Sequence, residues 1–135
     1  MRHRFLRYEM GYTAKILKKI LIVEDDSVIA AMNKFIVETL GYTVIDVVST
    51  GEEAVKAAAK LKPDLIFMDI ELAGKLTGVG AAKKIKEKLD VPIIYISGCS
   101  DAKMIKEAEQ TQPYGFLIKP VSAKDIQHVL TSAFL

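Results

Sequence analysis

The chain has 135 residues, half of them hydrophobic, with 19 Lys plus Arg against 17 Asp plus Glu. That length fits one domain, and the apolar share supports an ordinary buried core rather than a disordered chain. One cysteine, Cys99, excludes an internal disulfide and a thiolate metal cage, and no apolar run approaches the ~18 residues of a membrane span, so a soluble, cytoplasmic protein is expected.

The charge is unevenly spread. Residues 1–19 carry six basic side chains (Arg2, Arg4, Arg7, Lys15, Lys18, Lys19) against one acid, Glu9, whereas the remainder holds thirteen basic and sixteen acidic residues. Residues 1–17 read as a solvated basic extension, or as sequence upstream of a start at Met10. They lack the apolar h-region of a secretory signal. The folded domain is expected over 18–135.

Ile20-Leu21-Ile22-Val23 is a continuous β-branched run ending in acids, the pattern of a strand buried on both faces. Val28, Met32, Phe35, Ile36, Thr39 and Leu40 then recur at helical spacing, with Asp26 or Ser27 as the N-cap and Gly41 as the stop. Thr43 to Val48 reads as a second strand. Thr50-Gly51-Glu52-Glu53 resembles a capping box, opening a helix that ends near Leu61, before Pro63. Leu65 to Met68 is a third buried strand, closed by Asp69. A loop containing Gly74, Gly78 and Gly80 leads to a helix that turns Ala82, Ile85 and Leu89 inward. Pro92 precedes a fourth strand, Ile93 to Ile96, which ends in Ser97-Gly98. A helix over Asp101 to Glu109, a strand over Phe116 to Ile118 and a last helix opened by Ser122-Ala123-Lys124-Asp125 complete the chain. Five strand–helix alternations with short connections imply a parallel sheet covered on both faces. The fold class is therefore α/β, a five-stranded doubly wound domain.

In such a sheet every strand's C-terminus lies at one edge, where ligands bind. The first strand delivers Glu24, Asp25 and Asp26 there, the third Asp69, the fourth Ser97 and the fifth Lys119. Asp26 is read as a helix cap. Clustered carboxylates repel one another, and a hard divalent cation such as Mg²⁺ relieves that cost while taking oxygen ligands. A carboxylate can also attack phosphorus to give an acyl phosphate. Positive charge from Mg²⁺ and Lys119, with a hydrogen bond from Ser97, suits the loose transition state of that transfer.

At these residues the sequence resembles the receiver domain of two-component response regulators. The resemblance rests on Ile20-Leu21-Ile22-Val23-Glu24-Asp25-Asp26, Asp64-Leu65-Ile66-Phe67-Met68-Asp69-Ile70, Pro92-Ile93-Ile94-Tyr95-Ile96-Ser97-Gly98 and Phe116-Leu117-Ile118-Lys119-Pro120. It implies a flavodoxin-like sheet of order 2-1-3-4-5, with Asp69 as phosphoacceptor and Asp25 as a direct metal ligand. It further implies Glu24 acting through metal-bound water, Glu71 offering its backbone carbonyl to the metal, and Ser97 and Lys119 holding the phosphoryl oxygens. The Lys119-Pro120 bond is expected to be cis, and Ser97 with Phe116 to form the switch.

The implied partners are a sensor histidine kinase or phosphotransfer protein, and a protein target of unknown identity. The segment Glu71-Leu72-Ala73-Gly74-Lys75-Leu76-Thr77-Gly78 is longer than the usual loop of the family, with Thr77 where a subgroup carries Asp. Glu71 and Cys99 flank the path of attacking water. No DNA-binding helix pair follows the last helix, so output is expected through protein contacts, without direct nucleic-acid binding. The chemistry is that of a signalling phosphoacceptor, not a turnover enzyme.

Three alternatives make different demands on the sequence. A degenerate receiver would bind partners without phosphorylation. A phosphatase of the haloacid dehalogenase class would place its acidic motif after the first strand, not the third. A flavodoxin-like cofactor carrier would need a Ser/Thr-rich phosphate loop after the first strand.

Overall fold

A computed structural model describes residues 15–98 and 100–135. Most of the basic extension, and Cys99 with the role suggested for it, lie outside the described residues. Ten elements alternate: β1 Lys19–Val23, α1 Ser27–Thr39, β2 Thr43–Val48, α2 Gly51–Leu61, β3 Leu65–Asp69, α3 Gly78–Lys86, β4 Ile93–Ser97, α4 Ala102–Glu109, β5 Gly115–Ile118 and α5 Ala123–Ala133. The strands form one parallel sheet of order β2-β1-β3-β4-β5. This is the order that the family resemblance implies.

Successive strand residues face opposite sides, which divides the core in two. Leu21, Val23, Ile66, Met68, Ile93 and Tyr95 meet the alanines of α2 (Ala54, Ala57, Ala58), Val79, Ala82 and Ile85 of α3, and Ala108 of α4. Ile20, Ile22, Leu65, Phe67, Ile94 and Ile96 meet Val37 of α1 and Ile126 and Leu130 of α5. Every residue of β3 and β4 is buried, as continuous apolar runs require. At about 1.5–3 kcal/mol for each fully buried large aliphatic side chain, these central strands dominate the hydrophobic stabilisation and give the sheet edge a rigid base.

Three local readings are revised. In α1, Val28, Met32 and Phe35 are 67%, 57% and 71% exposed, and the buried residues are Ala30, Asn33 and Val37. The helix carries two apolar stripes, and the one holding small Ala30 lies against the sheet because it permits closer approach. Gly78 and Gly80 belong to the first turn of α3 rather than to the loop, with Thr77 as N-cap accepting from the Gly80 N–H. Leu89 lies beyond the helix, packed against the core. At α2 the capping box is half formed. The Thr50 hydroxyl accepts from the Glu53 N–H, but the Glu53 carboxylate takes the Ser49 and Thr50 hydroxyls instead of the cap's backbone. The Ser122–Asp125 box at α5 is complete.

Candidate functional site

The parallel sheet brings the ends of β1, β3, β4 and β5 to one edge, and the acidic cluster stands there. Glu24 follows β1 and is buried, with its own N–H on the Val48 carbonyl. Asp25, next along the chain, is exposed. Asp26 turns away as the cap of α1, accepting from the Val28 and Ile29 N–H groups. Asp69 closes β3 with 2% of its surface exposed, and Ser97 closes β4, also buried. The strand register sets Asp69 beside Ile96, one residue before Ser97.

Lys119 follows β5, and its backbone N–H donates to the Ser97 carbonyl. The Lys119-Pro120 bond is cis. The ammonium of Lys119 lies 3.0 Å from both Glu24 Oε1 and Asp69 Oδ2. Burial works against its charge, but the Glu24 and Asp69 carboxylates outweigh that effect and hold its pKa above the ordinary lysine value. Burial pushes the Glu24 carboxyl above its usual range, and its hydrogen bond with Asp69 pushes the same way.

Glu24, Asp25 and Asp69 each place a carboxylate oxygen within 4.8 Å of the others. Neighbouring oxygens of an octahedral Mg²⁺ stand about 3.0 Å apart and opposite ones about 4.2 Å, from a ~2.1 Å bond, so this donor set suits the ion once its oxygens draw inward. Lys119 offsets one of the three carboxylate charges. All-oxygen donors and a surplus of negative charge suit a hard cation. The structure therefore brings together Glu24, Asp25, Asp69 and Lys119, with Ser97 on the neighbouring strand end.

Glu71 is exposed, and its N–H donates to Asp69 Oδ1 at 3.0 Å. Phe116 stands farther out on β5, 37% exposed, with its ring centroid 5.4 Å from that of Tyr95. Tyr95 is itself buried, and its hydroxyl pairs with that of Thr111 at 2.7 Å. Burial raises the Tyr95 pKa. Two contributions were missed in the sequence: the Ala73 N–H donates to Asp25 Oδ2 at 3.2 Å, and the Leu76 N–H to Glu52 Oε1 at 3.1 Å. Both come from backbone, which leaves no residue-type signal.

Residues 20–131 match the response regulator receiver domain family. The chemotaxis protein CheY of Thermotoga maritima is 33% identical, the alignment covering 84% of this chain and 94% of that protein. The transcriptional regulatory protein YdfI of Bacillus subtilis is 34% identical over 87% of this chain and 55% of its own length. This chain thus spans about half the length of several curated relatives. Among solved structures, the signal receiver domain of a modulated diguanylate cyclase from Desulfovibrio desulfuricans superposes with a TM-score of 0.83 and 38% identity, covering 87% of this chain and 94% of that one. The receiver domain of a Pseudomonas aeruginosa sensor histidine kinase, whose structure carries a magnesium ion in the active-site cleft, gives 0.79 and 28%, over 87% of this chain and 97% of that one.

Proposed function

This chain belongs to the response regulator receiver domain family, and from that premise we propose that it is a phosphorylation switch, taking a phosphoryl group on Asp69 from a partner histidine kinase or phosphotransfer protein with Mg²⁺ present. The observation that carries the reading is the convergence of Asp69, Glu24, Asp25 and Lys119, from three strand ends, within ion-pair or shared-ligand distance. Glu24, Asp25 and Asp69, with the backbone carbonyl of Glu71, would hold the ion. When bound, Mg²⁺ supplies positive charge that offsets the carboxylates and the incoming phosphoryl oxygens.

The chain's own groups then have distinct tasks. A carboxylate oxygen of Asp69 forms the new bond to phosphorus. The P–N bond to the donor imidazole breaks, and its electron pair returns to the ring nitrogen. Lys119, charged at neutral pH and already on Asp69 Oδ2, stabilises the phosphoryl oxygens, with the Ser97 hydroxyl as second donor. In the phosphorylated state Ser97 moves toward the new dianion, and Phe116 turns into the space beside it. The exposed setting of Phe116 leaves it room to move.

Two surfaces fit the partners. The outward stripe of Val28, Met32 and Phe35 begins beside Asp26, one residue from Asp25, and suits the apolar face of a donor protein's helix. Tyr114, just before β5, and Phe116 and Ile118 on it are exposed and suit a protein target of the switch, and no direct nucleic-acid contact is assigned. No helix among the described residues is long and apolar enough to cross a membrane; the cytoplasmic site of action proposed here rests on the family.

The test is the intact mass of the protein after incubation with acetyl phosphate and Mg²⁺, beside Asp69→Asn. A gain of one phosphoryl group, abolished by EDTA and absent in the variant, is the expected result. No gain from either acetyl phosphate or a panel of histidine kinases would refute the reading in favour of a receiver that binds partners without phosphorylation.

A further inference from the structure

The loop between β3 and α3, residues 70–77, is held by a repeated device. Three of its backbone N–H groups donate to carboxylates on three different parts of the fold: Glu71 to Asp69 Oδ1 at 3.0 Å, Ala73 to Asp25 Oδ2 at 3.2 Å, and Leu76 to Glu52 Oε1 at 3.1 Å. The first two carboxylates are candidate metal ligands. The third is not, since Glu52 sits in the first turn of α2, outside the acid cluster.

The Leu76 end of the loop is fitted closely as well as hydrogen-bonded. A Cβ at Gly51 would come within 2.6 Å of the Leu76 carbonyl oxygen, and one at Gly80 within 2.9 Å of Leu76 Cδ1. Leu76 is thus seated between the first turns of α2 and α3. Between it and Ala73 the chain turns at Gly74, whose φ of +104° a side chain would strain.

We infer that Glu52 is a positioning residue for the metal site. By holding the Leu76 N–H, it fixes the loop so that Ala73 stays on Asp25 and Glu71 stays on Asp69, keeping two ligands and the Glu71 carbonyl oriented before the ion arrives. The role rests on the Mg²⁺ reading above. It differs from two simpler uses of an acid at this position: favourable charge at the start of a helix, and a general negative field near a cation.

Three variants separate these uses. Glu52→Gln keeps the length and an accepting oxygen but loses the charge. Glu52→Asp keeps the charge but is one methylene too short to reach. Glu52→Ala loses both. Glu52 is exposed, so all three should fold, and a thermal melt checks this. Two measurements on the full chain are needed: the Mg²⁺ Kd by titration calorimetry, and hydrogen exchange of the Ala73 and Leu76 amides without metal.

Outer partners of metal ligands typically contribute about tenfold or more in affinity. The expected result is a roughly tenfold weaker Mg²⁺ Kd and faster exchange at both amides in Glu52→Ala and Glu52→Asp, with Glu52→Gln close to the parent. Unchanged affinity in Glu52→Ala would overturn the inference. So would Glu52→Asp behaving as the parent while Glu52→Gln behaves as Glu52→Ala, because charge alone would then explain the effect. If the parent binds no Mg²⁺, the metal reading falls and the positioning role with it. The exchange data would still tell that case apart from a tether that does not hold.

Discussion

Gly78→Ala puts the placement of the phosphoacceptor under direct strain. A Cβ on Gly78 would lie 2.0 Å from the Asp69 carbonyl oxygen, 2.9 Å from its carbonyl carbon and 3.0 Å from Ile70 Cα. All three atoms are backbone, so no side-chain rotation relieves the contact. Ordinary non-bonded approach is about 3.5 Å, so α3 and the end of β3 must separate by more than an ångström. Overpacking of this kind costs about 2–3 kcal/mol, and the better helix propensity of alanine returns up to about 1 kcal/mol. The net loss of about 1–3 kcal/mol, at roughly 4 °C per kcal/mol for a chain of this size, corresponds to a Tm lower by about 4–12 °C.

Gly115→Ala makes the same chemical change where a Cβ meets nothing within 4 Å. It should be neutral, or stabilising by about 0.5 kcal/mol from reduced freedom of the unfolded strand. Because the obstructing oxygen in Gly78→Ala belongs to Asp69 itself, relief displaces the acceptor, and phosphorylation by acetyl phosphate should slow on the order of ten- to a hundredfold. Far-UV circular dichroism melts and a phosphorylation time course measure both effects. Equal melting temperatures and equal rates for the two variants would refute the reasoning.

Lys119→Met leaves Glu24 and Asp69 without their ammonium. Loss of one partner from a fully buried pair costs about 3–5 kcal/mol; Lys119 keeps a quarter of its side chain exposed, so about 1–3 kcal/mol is expected in EDTA, partly restored by Mg²⁺. Urea melts with and without the ion check this, and a variant as stable as the parent in EDTA would contradict it. Glu24 has a raised pKa in the fold, so its contribution to metal-free stability is fully present below the ordinary carboxylate pKa and is lost as pH rises through the raised value. The stability of Glu24→Gln relative to the parent should therefore improve from pH 4 to pH 7, and a constant difference in urea melts would rule this out. Met32→Asp with Phe35→Asp should leave phosphorylation by acetyl phosphate within about twofold and slow transfer from a histidine kinase at least tenfold, since both side chains are exposed and outside the acid cluster; equal loss with both donors would point to a folding defect instead. Glu71→Asn and Glu71→Ala should alter the decay rate of the phosphorylated protein through changed charge beside the incoming water, as followed by intact mass. Unchanged decay in both would remove Glu71 from that role.

Much of the fold was legible because it depends on period and order. Buried parallel strands read as unbroken apolar runs, and Ile20 to Val23, Leu65 to Met68 and Ile93 to Ile96 do so plainly. Candidate site residues were legible for a related reason, since in this topology the residue just past each strand is the one the sheet edge presents. The face of α1 was harder. Its two apolar stripes give one periodicity, and only packing against the sheet selects Ala30 and Val37 as the inner one. The start of α3 was read too late, because glycine favours loops in general, whereas Gly78 and Gly80 are needed where the helix's first turn crosses Asp69 and Leu76.

The β3–α3 loop resisted reading for a deeper reason. Its contacts are made by the backbone N–H groups of Glu71, Ala73 and Leu76, which every non-proline residue carries, so residue types hold no record of them. The acceptors are visible, but an acid in the first turn of α2 reads as a helix-start charge whether or not a loop rests on it. What separates the two uses of Glu52 is the close fit around Leu76, seated between Gly51 and Gly80 at separations no Cβ would tolerate. Those glycines lie 25 and 4 residues from Leu76 in the chain. The relation between them exists only in three dimensions, and it makes α2 a support for the site rather than a cover for the sheet alone.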